Sequence, residues 1–271
     1  IRFMYVSGDI KPSHNTIGRF IKEELSTSVE DIFKEVNLYI ENHDDIDTNT
    51  IYIDGTKLEA NANKFTFVWK KATLKYQARL MKKMSNALLD LNEFYKECNI
   101  DIVYLVKEKY DVSDFIDTFE NLQRIKRNVD TVFVKGIGHR KDEFQKKYEQ
   151  FEEMTNKAMQ YAERIEKCGN RNSYSKTDED ATFMHGKEDY YMKTGIFKAY
   201  YNIQIGVSDE YIRYIDVFQN SADTPTFKPF LEGFNTMYHY YPKYPVADAG
   251  YGSFENYKYC QEHGMELVQK Y

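Results

Sequence analysis

NTIYIDGTKLEANANK, residues 49–64, decides how this chain is read. Ile51, Tyr52 and Ile53 form a short β-branched and aromatic run, the composition of a strand. Asp54 closes the run, and Gly55 is read as the residue that lets the backbone turn straight after it. The arrangement recurs in YPVADAGYGS, residues 244–253, where Asp248 ends a second apolar run and is again followed by small residues. Either Asp alone is a common turn former. As a pair on two strand ends they suggest a shared cation, because magnesium prefers oxygen ligands and is usually held by one or two carboxylates plus substrate phosphates.

The chain has 271 residues and 42% hydrophobic content, enough for one large or two modest domains with a real core. No apolar run approaches the roughly 20 residues needed to cross a bilayer. IRFMYVSGDIKPS at the start lacks the basic-then-apolar layout of a secretory signal, so a cytoplasmic location is expected. Cys98, Cys168 and Cys260 are far apart and odd in number, which excludes a disulfide framework and a Cys-x-x-Cys metal site and leaves ordinary buried or half-buried thiols. Histidines at 14, 43, 139, 185, 239 and 263 form no i, i+4 pair, which argues against zinc. Gly136-Ile137-Gly138 lies in VKGIGHRKDE, without the remaining positions of a phosphate-cradling glycine loop, so nucleotide binding is disfavoured. The net charge of -6 opposes nucleic-acid binding by the chain as a whole. Basic clusters at 64–75, 124–127 and 135–141 leave DNA contact and a solvated helix face as equal readings.

Along the chain, KPSHNTIGRFIKEEL (11–25) predicts a helix capped by Ser13 or Asn15, with Ile17, Phe20, Ile21 and Leu25 at helical spacing. SVEDIFKEVNLYIENH (28–43) predicts a second helix with Ser28 and Asp31 as a capping box. IRFMYVSG reads as the tail of a preceding unit. Residues 66–97 and 139–168 read as long charged helices or coiled-coil arms, with further helix between them capped at Ser113 or Asp114. The polar tract 168–183 marks a return to sheet. AYYNIQIGVS and EYIRYIDVFQ form a hairpin. TFKPFLEGFNTMYHYY is helical, YPVAD a strand, SFENYKYCQEHG a helix ended by Gly264, and MELVQKY a strand. With 66–168 taken as an insertion, the remainder reads strand, strand, strand, helix, strand, helix, strand, a mixed α/β order with parallel later strands.

KPSHNTIGRF, IDGTKLEANANKFTFVWKK, SKTDEDATFMHGKEDYYMKTGIFKAYYNIQIG, the QNSADT turn and VADAGYGSFENYKY together resemble the DDE transposases of bacterial insertion sequences, in the subgroup with an Asp-Gly-Thr first motif. The resemblance implies a ribonuclease H-like mixed sheet over 49–65 and 169–271, a helical N-terminal remnant of a DNA-binding domain over 1–48, and a helical insertion over 66–168. It implies that Asp54 and Asp248 are the first and second acids and hold magnesium, with manganese as a substitute, in a two-metal site where Asp54 bridges both ions. The family's third acid, a Glu on a helix beyond the last strand, has no match, so the chain is expected to be truncated and catalytically incomplete. Glu255, Glu262 and Glu266 are not expected to replace it, since a Glu early in a helix is more often a capping residue. DNA, as transposon ends and target, is the implied partner, with a homodimer on paired ends. Lys57, Asn61, Asn63, Lys64, Lys70 and Lys71 are candidate DNA contacts. Asp223 and Thr224 are expected to cap a helix, and Tyr251 to pack on the sheet. The rival readings are a non-catalytic truncated transposase that binds DNA or partner subunits, and a helical interaction protein working through 66–168.

Overall fold

The computed structural model describes residues 8, 10–128, 132–136, 140–186 and 196–270, so most of IRFMYVSG and the Ile137-Gly138-His139 stretch lie outside the described residues. The chain divides into two compact units, residues 1–57 with 202–271, and residues 58–201.

The first unit begins with helix rather than two helices. His14–Arg19 (α1), a π-helical turn Phe20–Leu25 and Ser26–His43 (α2) follow one another without a break. Ser13 caps it by accepting the Thr16 N–H, as the sequence suggests. Ser28 does not cap a second helix: its hydroxyl donates to the Glu24 carbonyl one turn back, and Ser26 donates likewise to Lys22. Serines satisfied this way are tolerated within a helix, so the sequence signal for a second start is spent inside the first. Ile17, Phe20, Ile21, Ile32 and Val36 remain exposed.

The sheet of this unit uses β1 (Thr50–Glu59), β5 (Phe197–Ser208), β6 (Tyr211–Phe218), β7 (Tyr244–Ala247) and β8 (Val268–Gln269). Strands β5 and β6 form the antiparallel hairpin, while β1 pairs with β7 and β7 with β8 in parallel. From β6 the order runs β5, β1, β7, β8, a mixed α/β sheet in the element order expected from sequence. Crossover helices make the parallel pairs: α6 (Phe227–Tyr238) links β6 to β7, and α7 (Phe254–Glu262) links β7 to β8. Both helices contribute to one core, where Ile51, Ile53 and Ala247 meet Phe227, Phe230, Phe234, Tyr251 and Tyr259. The opposite face carries exposed Tyr52, Ile215, Val217 and Val268.

The second unit holds β2 (Phe67–Trp69), antiparallel to β3 (Ser173–Ser175), and β4 (Thr182–His185), antiparallel to the start of β5. The sequence reading carried the helix back to residue 66, but Phe67–Trp69 pairs as a strand and the helix starts at Lys70. Three helices follow: α3 (Lys70–Glu97), α4 (Val112–Asn128) and α5 (Glu143–Cys168). The long helices are not free arms. Helix α5 packs against both α3 and α4 around Met84, Leu91, Tyr95, Phe115, Leu122 and Phe151. The cap of α4 is Asp111, whose carboxylate accepts the Asp114 N–H at 3.2 Å while Asp114 accepts the Asp111 N–H at 2.9 Å, a reciprocal capping box. Among the described residues no helix is long and apolar enough to cross a membrane.

Candidate active site

Strands β1 and β7 run in register, with Tyr52 opposite Val246 and Ile53 opposite Ala247. Asp54 follows Ile53 within β1, and Asp248 is the first residue after β7, where it caps the 3-10 turn Ala249–Tyr251. Side chains alternate along a strand, and Ile53 enters the core, so Asp54 leaves from the other face of the sheet, while Asp248 stands at the exit of β7. Neighbouring strands lie about 4.8 Å apart, which brings the backbones of the two residues side by side. Both residues are exposed. Oδ1 of Asp54 accepts the Gly55 N–H at 2.8 Å, and Oδ1 of Asp248 accepts the Gly250 N–H at 2.9 Å. No ion pair among the described residues neutralises either carboxylate.

One expectation is corrected here. The backbone does not turn after Asp54, because β1 continues through Gly55 to Glu59. Gly55 serves close approach instead. A Cβ built there would lie 2.6 Å from Gln204 Nε2 and 3.0 Å from Asp223 Oδ1, so the empty side of the glycine is filled by two polar side chains.

Those side chains belong to a buried network directly behind the aspartates. Gln204 donates from Nε2 to Asp223 Oδ1 and to Asn202 Oδ1, each at 3.0 Å. Asn202 donates to Asp223 Oδ1 at 2.9 Å, and Lys57 Nζ reaches the same oxygen at 3.4 Å and the Ser221 carbonyl at 3.1 Å. The Tyr251 hydroxyl donates to Gln204 Oε1. Burial pushes the Tyr251 phenol far up, and the charges of Asp223, Asp54 and Asp248 push it further, so it stays protonated and remains a donor. Burial alone would raise Asp223. The hydrogen bond from Asn202, the Lys57 charge and the Gln204 hydrogen bond outweigh it and hold this carboxyl below its ordinary value.

The loop bearing Asp248 is fixed from three directions. Thr224 Oγ1 donates to the Gly250 carbonyl at 2.7 Å, Gln269 donates to the Asp248 carbonyl, and Asn256 Nδ2 donates to the carbonyls of Tyr251 at 2.7 Å and Thr224 at 3.0 Å. Asp223 precedes the 3-10 turn Thr224–Thr226, but its side chain makes no capping bond; its backbone carbonyl takes the Thr226 N–H and hydroxyl while the carboxylate turns into the network. Tyr251 packs beneath the sheet, its ring 6.0 Å from Phe227.

The expected DNA contacts separate. Lys57 is nearly buried and lies 3.4 Å from Asp223 Oδ1. Asn61, Asn63, Lys64, Lys70 and Lys71 belong to the second unit. Asn61, Asn63, Lys64 and Lys71 are exposed, the Asn63 amide bonds to Thr177 Oγ1, and Lys70 reaches the Gly169 carbonyl. Of the acids weighed as replacements, Glu255 lies 3.8 Å from Lys228, Glu262 lies 3.5 Å from Lys258, and the Glu266 amide bonds to the Lys243 carbonyl. Among the described residues no three metal-binding side chains cluster.

Asn202, Gln204 and Asp223 were not singled out in the sequence as site residues. In NIQIG, Asn202, Gln204 and Gly206 alternate with Ile203 and Ile205, and a strand that directs amides into a buried face is a signal for a polar network. The two aspartates fit a divalent cation of the magnesium type. They are oxygen donors, adjacent, accessible to water and substrate, and without a protein cation beside them.

Residues 171–271 match the family model described as Transposase DDE domain. This supports transposase function, and the matched region includes Asp248 while Asp54 lies before it. The chain matches no curated protein and no solved structure.

Proposed function

We propose that this chain acts on DNA as a DDE-type transposase of the insertion-sequence kind, with Asp54 and Asp248 as the first two acids of a divalent-metal site on a ribonuclease H-like sheet. The observation that supports the reading is the parallel register of β1 and β7, which leaves the unneutralised Asp54 and Asp248 each one residue past the pair Ile53 and Ala247. Bound there, magnesium or manganese lowers the pKa of the attacking water and stabilises the leaving oxygen. The first step is attack of water on a phosphorus at the transposon end: a new P–O bond forms, the bond to the 3'-oxygen breaks, and the proton goes to the freed 3'-hydroxyl. In the second step that hydroxyl attacks a phosphorus of target DNA: a new P–O bond joins the two DNAs, the target's own bond from phosphorus to its 3'-oxygen breaks, and that 3'-oxygen leaves with the proton. Asp54 and Asp248 hold the cation, Gly250 N–H orients the Asp248 carboxylate, and Gln204 with Tyr251 fixes the loop behind it. Paired ends call for a homodimer.

The experiment is a nicking assay on duplex DNA carrying the element's ends, with magnesium or manganese. Slow, manganese-dependent nicking lost in Asp54→Asn and Asp248→Asn supports the reading. Nicking indifferent to both substitutions overturns it.

A further inference from the structure

From residue 60 to 89 the chain has seven Lys and Arg and no Asp or Glu, although the whole carries a net charge of -6. Most of these cations lie in the first half of α3. At 100° per residue, Lys71, Lys75, Arg79 and Lys82 fall within one quarter of the helix circumference. The buried side, Thr73, Leu80, Met84, Ala87 and Leu91, lies opposite. All four cations are exposed, and none of them has an ion-pair partner among the described residues. Several other surface lysines of this unit are neutralised, Lys146 by Glu143, Lys157 by Glu153 and Lys167 by Glu163 and Glu179. Like charges one turn apart destabilise a helix by a few tenths of a kcal/mol per pair, and the core face of α3 contributes nothing to relieve that. An external polyanion does.

We propose that Lys71, Lys75, Arg79 and Lys82 form a phosphate-binding stripe for the backbone of duplex DNA. The stripe spans about 17 Å along the helix axis, a length over which B-DNA presents roughly ten phosphates. Contacts to phosphate carry no sequence information, so the proposed contact is sequence-independent. The choice of DNA rests on the proposed function, while the phosphate chemistry rests on the stripe alone.

The test is duplex binding by the full chain, measured by fluorescence anisotropy with a labelled duplex of arbitrary sequence at several salt concentrations. The Lys71→Gln, Lys75→Gln, Arg79→Gln, Lys82→Gln variant is compared with a charge-matched control, Lys141→Gln, Lys146→Gln, Lys157→Gln, Lys258→Gln, whose lysines are already paired with acids. The stripe variant should lower the salt slope by about 3 to 4 and weaken binding at low salt by at least ~10-fold, with the control near wild type. Equal slopes for wild type and stripe variant, equal losses in the control, or preference for an RNA duplex each overturn the proposal. Failure of Asp54 and Asp248 to bind manganese would remove the cleavage reading and leave the stripe intact; manganese binding with an unchanged stripe slope would do the reverse.

Discussion

Asp54 and Asp248 each lie one residue past the paired Ile53 and Ala247 of neighbouring parallel strands. Neither has a cation partner among the described residues, and like charges on adjacent strands repel only weakly where water screens them. Replacing either with Asn in metal-free protein therefore leaves stability unchanged or raises it by up to about 1 kcal/mol. Urea unfolding in the presence of chelator measures this, and a loss of several kcal/mol would mean that the carboxylates hold the fold together.

Gly55→Ala is expected to destabilise by roughly 1–3 kcal/mol, since its Cβ meets the fully buried Gln204 at 2.6 Å and that side chain has nowhere to move. Gly18→Ala is the matched control. It lies in α1 with nothing within 4 Å of its Cβ, and the substitution should stabilise by about 0.5–1 kcal/mol.

Asp223→Ala leaves Lys57 nearly buried without its carboxylate. The cost is expected below the ~3–5 kcal/mol of a fully buried pair, because Asp223 keeps partial solvent contact. The pH dependence has a definite sign. The Asp223 pKa is depressed from 3.8 by Asn202, Lys57 and Gln204 against the effect of burial, so its contribution is present above the unfolded value and lost as pH falls through the folded one. Asp216, raised by burial, acts in the opposite sense. Comparing acid unfolding of wild type with Asp223→Asn isolates the Asp223 part, and the variant should lose less stability in the acid range.

Thiol labelling of native protein should modify Cys98 quickly and the other two only on unfolding. Cys98 is exposed, against the sequence expectation, whereas Cys168 and Cys260 are buried and burial pushes the Cys260 thiol up to about 11. Mass spectrometry after a short alkylation reads this directly.

Strands β1, β5, β6 and β7 were legible because each carries β-branched or aromatic residues at period two between turn residues. The adjacency of Asp54 and Asp248 followed from the helical crossovers that force parallel pairing. Three-residue β2 was not legible, since Phe67–Trp69 runs without punctuation into the amphipathic pattern of α3. Ser28 misled because a helix-start signal and an i−4 hydroxyl bond use the same residue type. Asp223 was hidden in SADTP, whose turn chemistry alone accounts for an Asp; its true partners, Asn202 and Gln204, lie on a strand that only the tertiary fold brings alongside.

Isothermal titration of manganese into wild type, Asp54→Asn and Asp248→Asn tests the central claim most directly. The account predicts saturable binding by wild type and at least about tenfold weaker binding by each variant, since removing even a residue that only orients a metal ligand typically costs that much. Equal manganese affinity in all three proteins would contradict it.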